Sequence, residues 1–116
     1  ASFDLVIRGG TVVTATDSTR CDVGIRNGRV AALGEGLDAG AREIDATDKL
    51  VLPGGIDSHC HIEQLSGMGV MSADDFRSGT TAAAFGGTTT VIPFAIQNRG
   101  ESLRRVVDDY WAMPRR

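Results

Sequence analysis

Leu52-Pro53-Gly54-Gly55-Ile56-Asp57-Ser58-His59-Cys60-His61-Ile62 is the stretch on which the reading of this chain turns. Proline and two glycines stop what precedes them, and Ile56–Ile62 then reads as a strand. Side chains alternate along a strand, so His59 and His61 share a face, roughly 6 to 7 Å apart along the backbone, and can converge on one metal ion. Cys60 points to the other face. The same parity puts Asp57 and Glu63 beside the histidines, a row of titratable groups that is costly to bury unless something binds there.

Each of these residues also has a plainer reading. His59 and His61 could face solvent on an edge strand. Asp57 could accept backbone N–H groups at the turn, Glu63 could be an exposed carboxylate rather than a substrate contact, and Cys60 reads as a small packing residue. The Pro-Gly-Gly entry, the apolar approach from Leu50 and the Gly67-Met68-Gly69 segment place the histidine pair at a strand end beside flexible backbone, where sites collect.

Working outward toward the C-terminus, strand and helix alternate. Ser72 with Asp75 has the form of a capping box, and Phe76, Thr80, Ala83 and Ala84 fall at helical spacing up to Gly86–Gly87. Thr88–Ala95 is rich in β-branched residues and apolar on both faces, as a strand buried under helices is. Leu103, Val106, Val107 and Tyr110 repeat at helical spacing, and Pro114 is expected to end that helix. These two β-α units are an unfinished layer, because a β/α barrel needs eight strands over ~250 residues. The chain reads as cut short.

Working outward toward the N-terminus, short strands replace this alternation. Phe3, Leu5 and Ile7 occupy one face of a strand and Asp4 and Arg8 the other, and Gly9–Gly10 is expected to break it. Cys21, Val23 and Ile25 alternate up to Asn27–Gly28, whose tolerance of positive φ makes a type I′ hairpin turn into Arg29–Leu33. Glu43–Ala46 and Leu50–Leu52 complete a set of β-sandwich-type strands over residues 1–52, before the β-α region of residues 53–116.

Composition narrows the classes. Of 116 residues, 41% are hydrophobic and 23% charged, as in a folded globular domain. Fifteen acidic residues against 12 basic ones, of which Lys49 is the only lysine, give a net charge of −3 and no basic field for nucleic acid or anionic lipid. Cys21 and Cys60 form no C-x-x-C pair, which suits a reducing cytoplasm. No apolar run reaches the ~18 to 20 residues that span a bilayer, so neither membrane nor nucleic acid is an expected partner.

With the hairpin at Asn27–Gly28 before it and Phe85-Gly86-Gly87-Thr88-Thr89-Thr90-Val91 after it, the Leu52–Ile62 stretch resembles the amino-terminal part of the amidohydrolase superfamily. The nearest resemblance, from Asp4 to about Tyr110, is to the cyclic amidases dihydropyrimidinase and hydantoinase. It implies a small β-sandwich followed by a (β/α)8 barrel, with the histidine pair at the C-terminal end of the first barrel strand. His59 and His61 would then bind the more buried of two zinc ions, which activate a bridging hydroxide against a ring amide carbonyl. Gly54 and Gly55 would be turn residues and Gly86–Gly87 a helix stop.

That family takes its bridging carboxylated lysine, two further histidines and its acid/base aspartate from later barrel strands. This sequence has no third histidine, and Lys49 precedes the histidine pair. The resemblance therefore implies His59 and His61 as metal ligands, Glu63 as a candidate substrate contact, and no catalytic residue in this chain. The expected function is that of an N-terminal fragment, itself inactive, of a zinc-dependent enzyme opening a small cyclic amide or ureide to an N-carbamoyl amino acid. The expected setting is a cytoplasmic homo-oligomer. An allantoinase or dihydroorotase lineage, or a non-catalytic dihydropyrimidinase-related assembly module, is the alternative.

Overall fold

The computed structural model of the chain describes residues 1–115. The chain divides into two units, Ala1–Pro53 and Gly54–Arg116. The first holds strands β1 (Phe3–Val13), β2 (Ser18–Arg26), β3 (Arg29–Gly34), β4 (Gly40–Asp45) and β5 (Leu50–Val51). The second holds β6 (Gly55–Cys60), helix α1 (Phe76–Phe85), β7 (Thr88–Pro93) and helix α2 (Leu103–Ala112). The chain is thus a mixed α/β protein. None of its helices, among the described residues, is long and apolar enough to cross a membrane.

In the first unit the strands run in the order β3-β2-β1-β4, with β5 also paired to β1. β1 pairs antiparallel with β2 but parallel with β4 and β5. These strands make a single mixed layer, whereas a sandwich packs two layers face to face. Asn27 and Gly28 sit at φ 53 and φ 69, the left-handed pair that a type I′ turn demands, and the hairpin forms where the sequence places it. Gly9–Gly10, in contrast, does not break the first strand. Gly9 takes φ 67 and the register slips between Ile7 and Gly10, so the two glycines form a bulge and pairing resumes through Val13.

The faces of β1 also differ from those expected. Phe3, Leu5 and Ile7 are only half-buried, while Val6 on the opposite face is, among the described residues, the large side chain that is fully buried. Beside it the Arg8 guanidinium bonds Asp22 Oδ2 at 3.0 Å, Glu43 Oε1 at 2.6 Å and the Leu37 carbonyl at 2.7 Å. Asp22 in turn accepts the Gly9 N–H at 2.9 Å and the Leu37 N–H at 3.2 Å. The Gly9 donor, followed by Arg8, holds the Asp22 carboxyl below the usual carboxylate range, and Arg8 does the same for Glu43.

In the second unit β6 and β7 form a parallel two-stranded sheet. Gly54 is required at its entrance because any Cβ there would collide with the Thr89 side chain. The strand ends at Cys60 rather than at Ile62, and β7 ends at Pro93 rather than at Ala95. Helix α1 starts three residues later than Ser72 and Asp75 suggest. Asp75 is itself the N-cap, its carboxylate accepting the Ser78 N–H at 2.7 Å while Ser78 Oγ accepts the Asp75 N–H at 3.1 Å. Ser72 is occupied elsewhere, its hydroxyl donating to the Gln64 carbonyl at 3.0 Å. Helix α2 ends at Ala112, and Pro114 lies within a following 3-10 turn, Met113–Arg115, which tolerates a missing N–H.

β7 is not buried under helices as its composition suggests. Ile92 is 55% exposed, Ile56 on β6 68% and Phe85 at the end of α1 91%. Ile62 is the only buried apolar residue among the described residues of this unit. Two strands cannot close over their own faces, and parallel sheets otherwise occur with both faces covered.

Candidate functional site

The C-terminal end of β6 brings the two histidines together. Their ring centres lie 5.6 Å apart, and both rings are exposed. The third member of the group is Phe94, just past the end of β7. Its ring is 4.5 Å from that of His59 and stacks on that of His61 at 5.3 Å with only 12° between the planes. Phe94 is fixed there by its own N–H, which donates to the Cys60 carbonyl at 3.1 Å and extends the β6–β7 pairing by one step.

His61 has a further partner in Gln64. Its Nδ1 lies 2.9 Å from Gln64 Oε1, while Gln64 Nε2 donates to the Phe94 carbonyl. Gln64 is held in turn by Ser72, whose Oγ accepts the Gln64 N–H at 3.2 Å and whose own N–H donates to the Gln64 carbonyl at 2.8 Å. Nothing in the sequence pattern singles out Gln64 or Phe94. The available signal was weak: an amide three residues after a candidate ligand, and an aromatic residue at the end of the neighbouring strand.

The row of four expected along β6 is corrected by the structure. The two-residue alternation stops when the strand ends at Cys60, and Glu63 takes φ 53, turning the chain away. The Glu63 carboxylate accepts the Phe76 N–H at 3.2 Å, at the start of α1, where an acidic group also meets the positive end of the helix. Asp57 accepts the backbone N–H of His59 at 3.0 Å, its plainer reading. No cluster of three or more His, Cys, Asp or Glu suited to a metal ion occurs among the described residues. Cys60 is half-buried, and burial, aided by the charge of Asp57, pushes its thiol up, which suits packing better than ligation or nucleophilic attack.

The loop between the histidines and α1 is tied down from the far side. Tyr110 on α2 donates its hydroxyl to the Ile62 carbonyl at 2.6 Å and lays its ring 5.3 Å from that of Phe76. Burial pushes its phenol up. A hollow of about 260 Å³ opens beside His61, walled by Gln64, Leu65, Ser72 and Ile96. A larger apolar groove of about 660 Å³ runs between β7 and the two helices, past Ser58, Val91, Val107 and Trp111, and neither histidine lines it.

Two imidazoles projecting together from a strand end of a β-α-β-α unit make a nitrogen donor pair. The amidohydrolase family model matches residues 50–115, and the chain belongs to that family. It is 49% identical to a D-hydantoinase of Geobacillus stearothermophilus over 90% of this chain and 22% of that protein. It is 47% identical to a dihydropyrimidinase of Rattus norvegicus over 96% of this chain and 23% of that protein. A crystal structure of the D-hydantoinase from Bacillus sp. AR9 superposes with a TM-score of 0.87 at 50% identity, over 94% of this chain and 24% of that one. The chain therefore spans less than a quarter of the length of these relatives.

Proposed function

We propose that this chain is the amino-terminal part of a metal-dependent hydrolase that opens a cyclic amide, of hydantoinase or dihydropyrimidinase type. The observation that carries this reading is the pairing of His59 and His61 on one side of the β6 end, within a chain 49% identical to a D-hydantoinase. In this reading residues 1–52 belong to a β-sandwich and residues 53–116 are the first two units of a (β/α)8 barrel, in a cytoplasmic homo-oligomer. The similarity to hydantoinases and dihydropyrimidinases favours this substrate class over allantoin or dihydroorotate, and the intact histidine pair favours an enzyme over an assembly module.

The donor chemistry fits zinc as a partial site. Two imidazoles whose ring centres lie 5.6 Å apart on one side of a strand end are nitrogen donors of a kind that zinc accepts, and His59 and His61 would hold it. Bound zinc would polarise a ring carbonyl and bring the pKa of a bound water down to about 7. The chain's own residues hold and orient: His59 and His61 supply nitrogens, the Phe94 ring blocks one side of both imidazoles, and Asp57 and Tyr110 pin the backbone on either side of them. Two nitrogens leave zinc short of the three or four protein ligands of its usual sites, and the described residues hold no cluster of three or more such groups. Glu63 remains a substrate contact in this proposal only if its carboxylate leaves the Phe76 N–H.

The test is hydrolysis of hydantoin and dihydrouracil. The 116-residue chain with zinc is expected to stay at the metal-only background, and a chain continued through the remaining barrel strands is expected to turn over at least one of the two. Loss of that turnover in His59→Ala or His61→Ala supports the assignment. A metal-loaded extended chain inert toward several cyclic amides overturns it.

A further inference from the structure

We infer that Gln64 is a positioning residue for His61: its amide fixes the imidazole in the Nδ1–H tautomer and so presents Nε2 as the bare donor. The inference rests on the reading of His61 as a metal ligand, and goes beyond it by assigning the group that decides which ring nitrogen is offered.

The argument runs through hydrogen-bond capacity. A backbone carbonyl can only accept, so the Gln64 atom at the Phe94 carbonyl must be the NH₂ group, which settles which way the amide lies. Oε1 then faces His61 Nδ1 at 2.9 Å, and an amide oxygen can also only accept. A proton must therefore sit on Nδ1, which in the neutral ring leaves the lone pair on Nε2. Metal-bound histidines commonly donate their second N–H to an acceptor in this manner, which fixes the tautomer and the ring orientation.

The supporting frame is over-determined. Ser72 grips both the N–H and the carbonyl of Gln64, and Phe94 both accepts from the Gln64 amide and stacks on the ring that Gln64 orients. His59 has only ring contacts, with His61 and Phe94, and no side-chain hydrogen bond among the described residues. The two histidines thus differ, and His59 is an internal reference for His61.

Long-range ¹H–¹⁵N spectra of the neutral rings in the metal-free 116-residue chain, taken at about pH 8, read each tautomer directly. His59→Ala assigns the two rings. We expect His61 as Nδ1–H and His59 with the Nε2–H form that a free side chain favours. Gln64→Met, which keeps length but removes the acceptor, should move His61 toward Nε2–H, whereas Gln64→Glu, which keeps an acceptor, should leave it as Nδ1–H. The zinc affinity of Gln64→Met should fall about tenfold or more. His61 found as Nε2–H in the unaltered chain, or a tautomer untouched by Gln64→Met, overturns the inference, and the first of these needs no variant to fold. Failure of the metal reading itself looks different: zinc would leave both ring spectra of the unaltered chain unchanged while the Nδ1–H tautomer persists.

Discussion

The two units distribute core and chemistry in opposite ways. Four of the five buried apolar residues among the described residues, Val6, Val12, Val23 and Ala46, lie in Ala1–Pro53, together with the buried Asp22 and its Arg8 partner. Gly54–Arg116 contributes only Ile62 to that set, yet it carries His59, His61, Phe94 and Gln64. A five-stranded sheet with an interlocked ion-pair cluster can hold itself in register. A two-stranded parallel sheet with Ile56, Phe85 and Ile92 in water has little of its own to hold it, and the residues suited to chemistry stand on that less supported half.

The largest expected consequence is in local stability. Amide protons of β1 and β2 should exchange on the order of a hundredfold more slowly than those of β6 and β7, because opening the first sheet exposes its core while opening the second exposes little that is not already wet. Hydrogen exchange read by NMR checks this. Equal protection in the two sheets would break the comparison and mean that the faces of β6 and β7 are covered in solution, as they would be in a self-associated chain.

The next consequence belongs to the ion-pair cluster. Asp22→Ala strands the Gly9 and Leu37 N–H groups and removes one of the two carboxylates on Arg8, and should destabilise the first unit by about 2 kcal/mol in denaturant melts. The same cluster sets an acid limit. Folding lowers the Asp22 and Glu43 carboxyls, and outside the cluster that of Asp45, which accepts from the Thr47 hydroxyl and N–H, so the stability they contribute is complete above the ordinary carboxylate range and is lost as pH falls through the lowered folded values. In the second unit the described residues include one carboxyl lowered in this way, Asp75 at the start of α1. Acid melting followed by signals of β1 should therefore steepen where those of β6 change little, and Asp22→Ala should flatten that difference.

How much of this could be read beforehand depends on how local the physics is. The hairpin at Asn27–Gly28 needs only two residues that accept positive φ, and the shared face of His59 and His61 needs only strand parity, so both were legible. The Arg8 cluster joins residues 14 and 35 positions apart, which no local pattern records. Gln64 became a partner of His61 only because Glu63 turns the chain at φ 53, the same turn that takes Glu63 out of the expected row. The choice of Asp75 rather than Ser72 as N-cap was likewise made at a distance, since the Ser72 hydroxyl is committed to the backbone of Gln64. Thr88–Ala95 reads as buried because its composition suits a covered strand, and the described residues of the second unit leave Ile92 exposed.

A smaller effect is expected at the clamp between α2 and the loop after β6. Tyr110→Phe leaves the Ile62 carbonyl without its 2.6 Å donor and should cost about 1 kcal/mol, seen only in probes of the second unit. This unit also has an alkaline limit of its own, reached before the arginine range in which the raised Arg8 guanidinium sets that of the first. Burial raises the Tyr110 phenol and the Cys60 thiol, so their contribution is intact below the ordinary tyrosine and cysteine ranges and is lost as pH climbs through the raised folded values. Base titration should loosen β6 before β1, the reverse of the acid order. Loss of both units together at high pH would remove the contrast.

The smallest effect is the most pointed. Ile56 is 68% exposed on β6, so Ile56→Ala should change the stability of the 116-residue chain by less than about 0.5 kcal/mol, as for an ordinary surface site. A β-strand that carries isoleucine on an open face is nevertheless composed for cover. If further strands and helices close over β6 in the extended chain, the same substitution opens a cavity there and should cost about 2 to 5 kcal/mol. Denaturant melts of Ile56→Ala in both lengths therefore measure directly whether the weaker unit is weak by composition or by lack of neighbours. A large loss in the short chain, with sedimentation reporting a monomer, would mean that Ile56 is already packed and that the difference between the units is not one of cover.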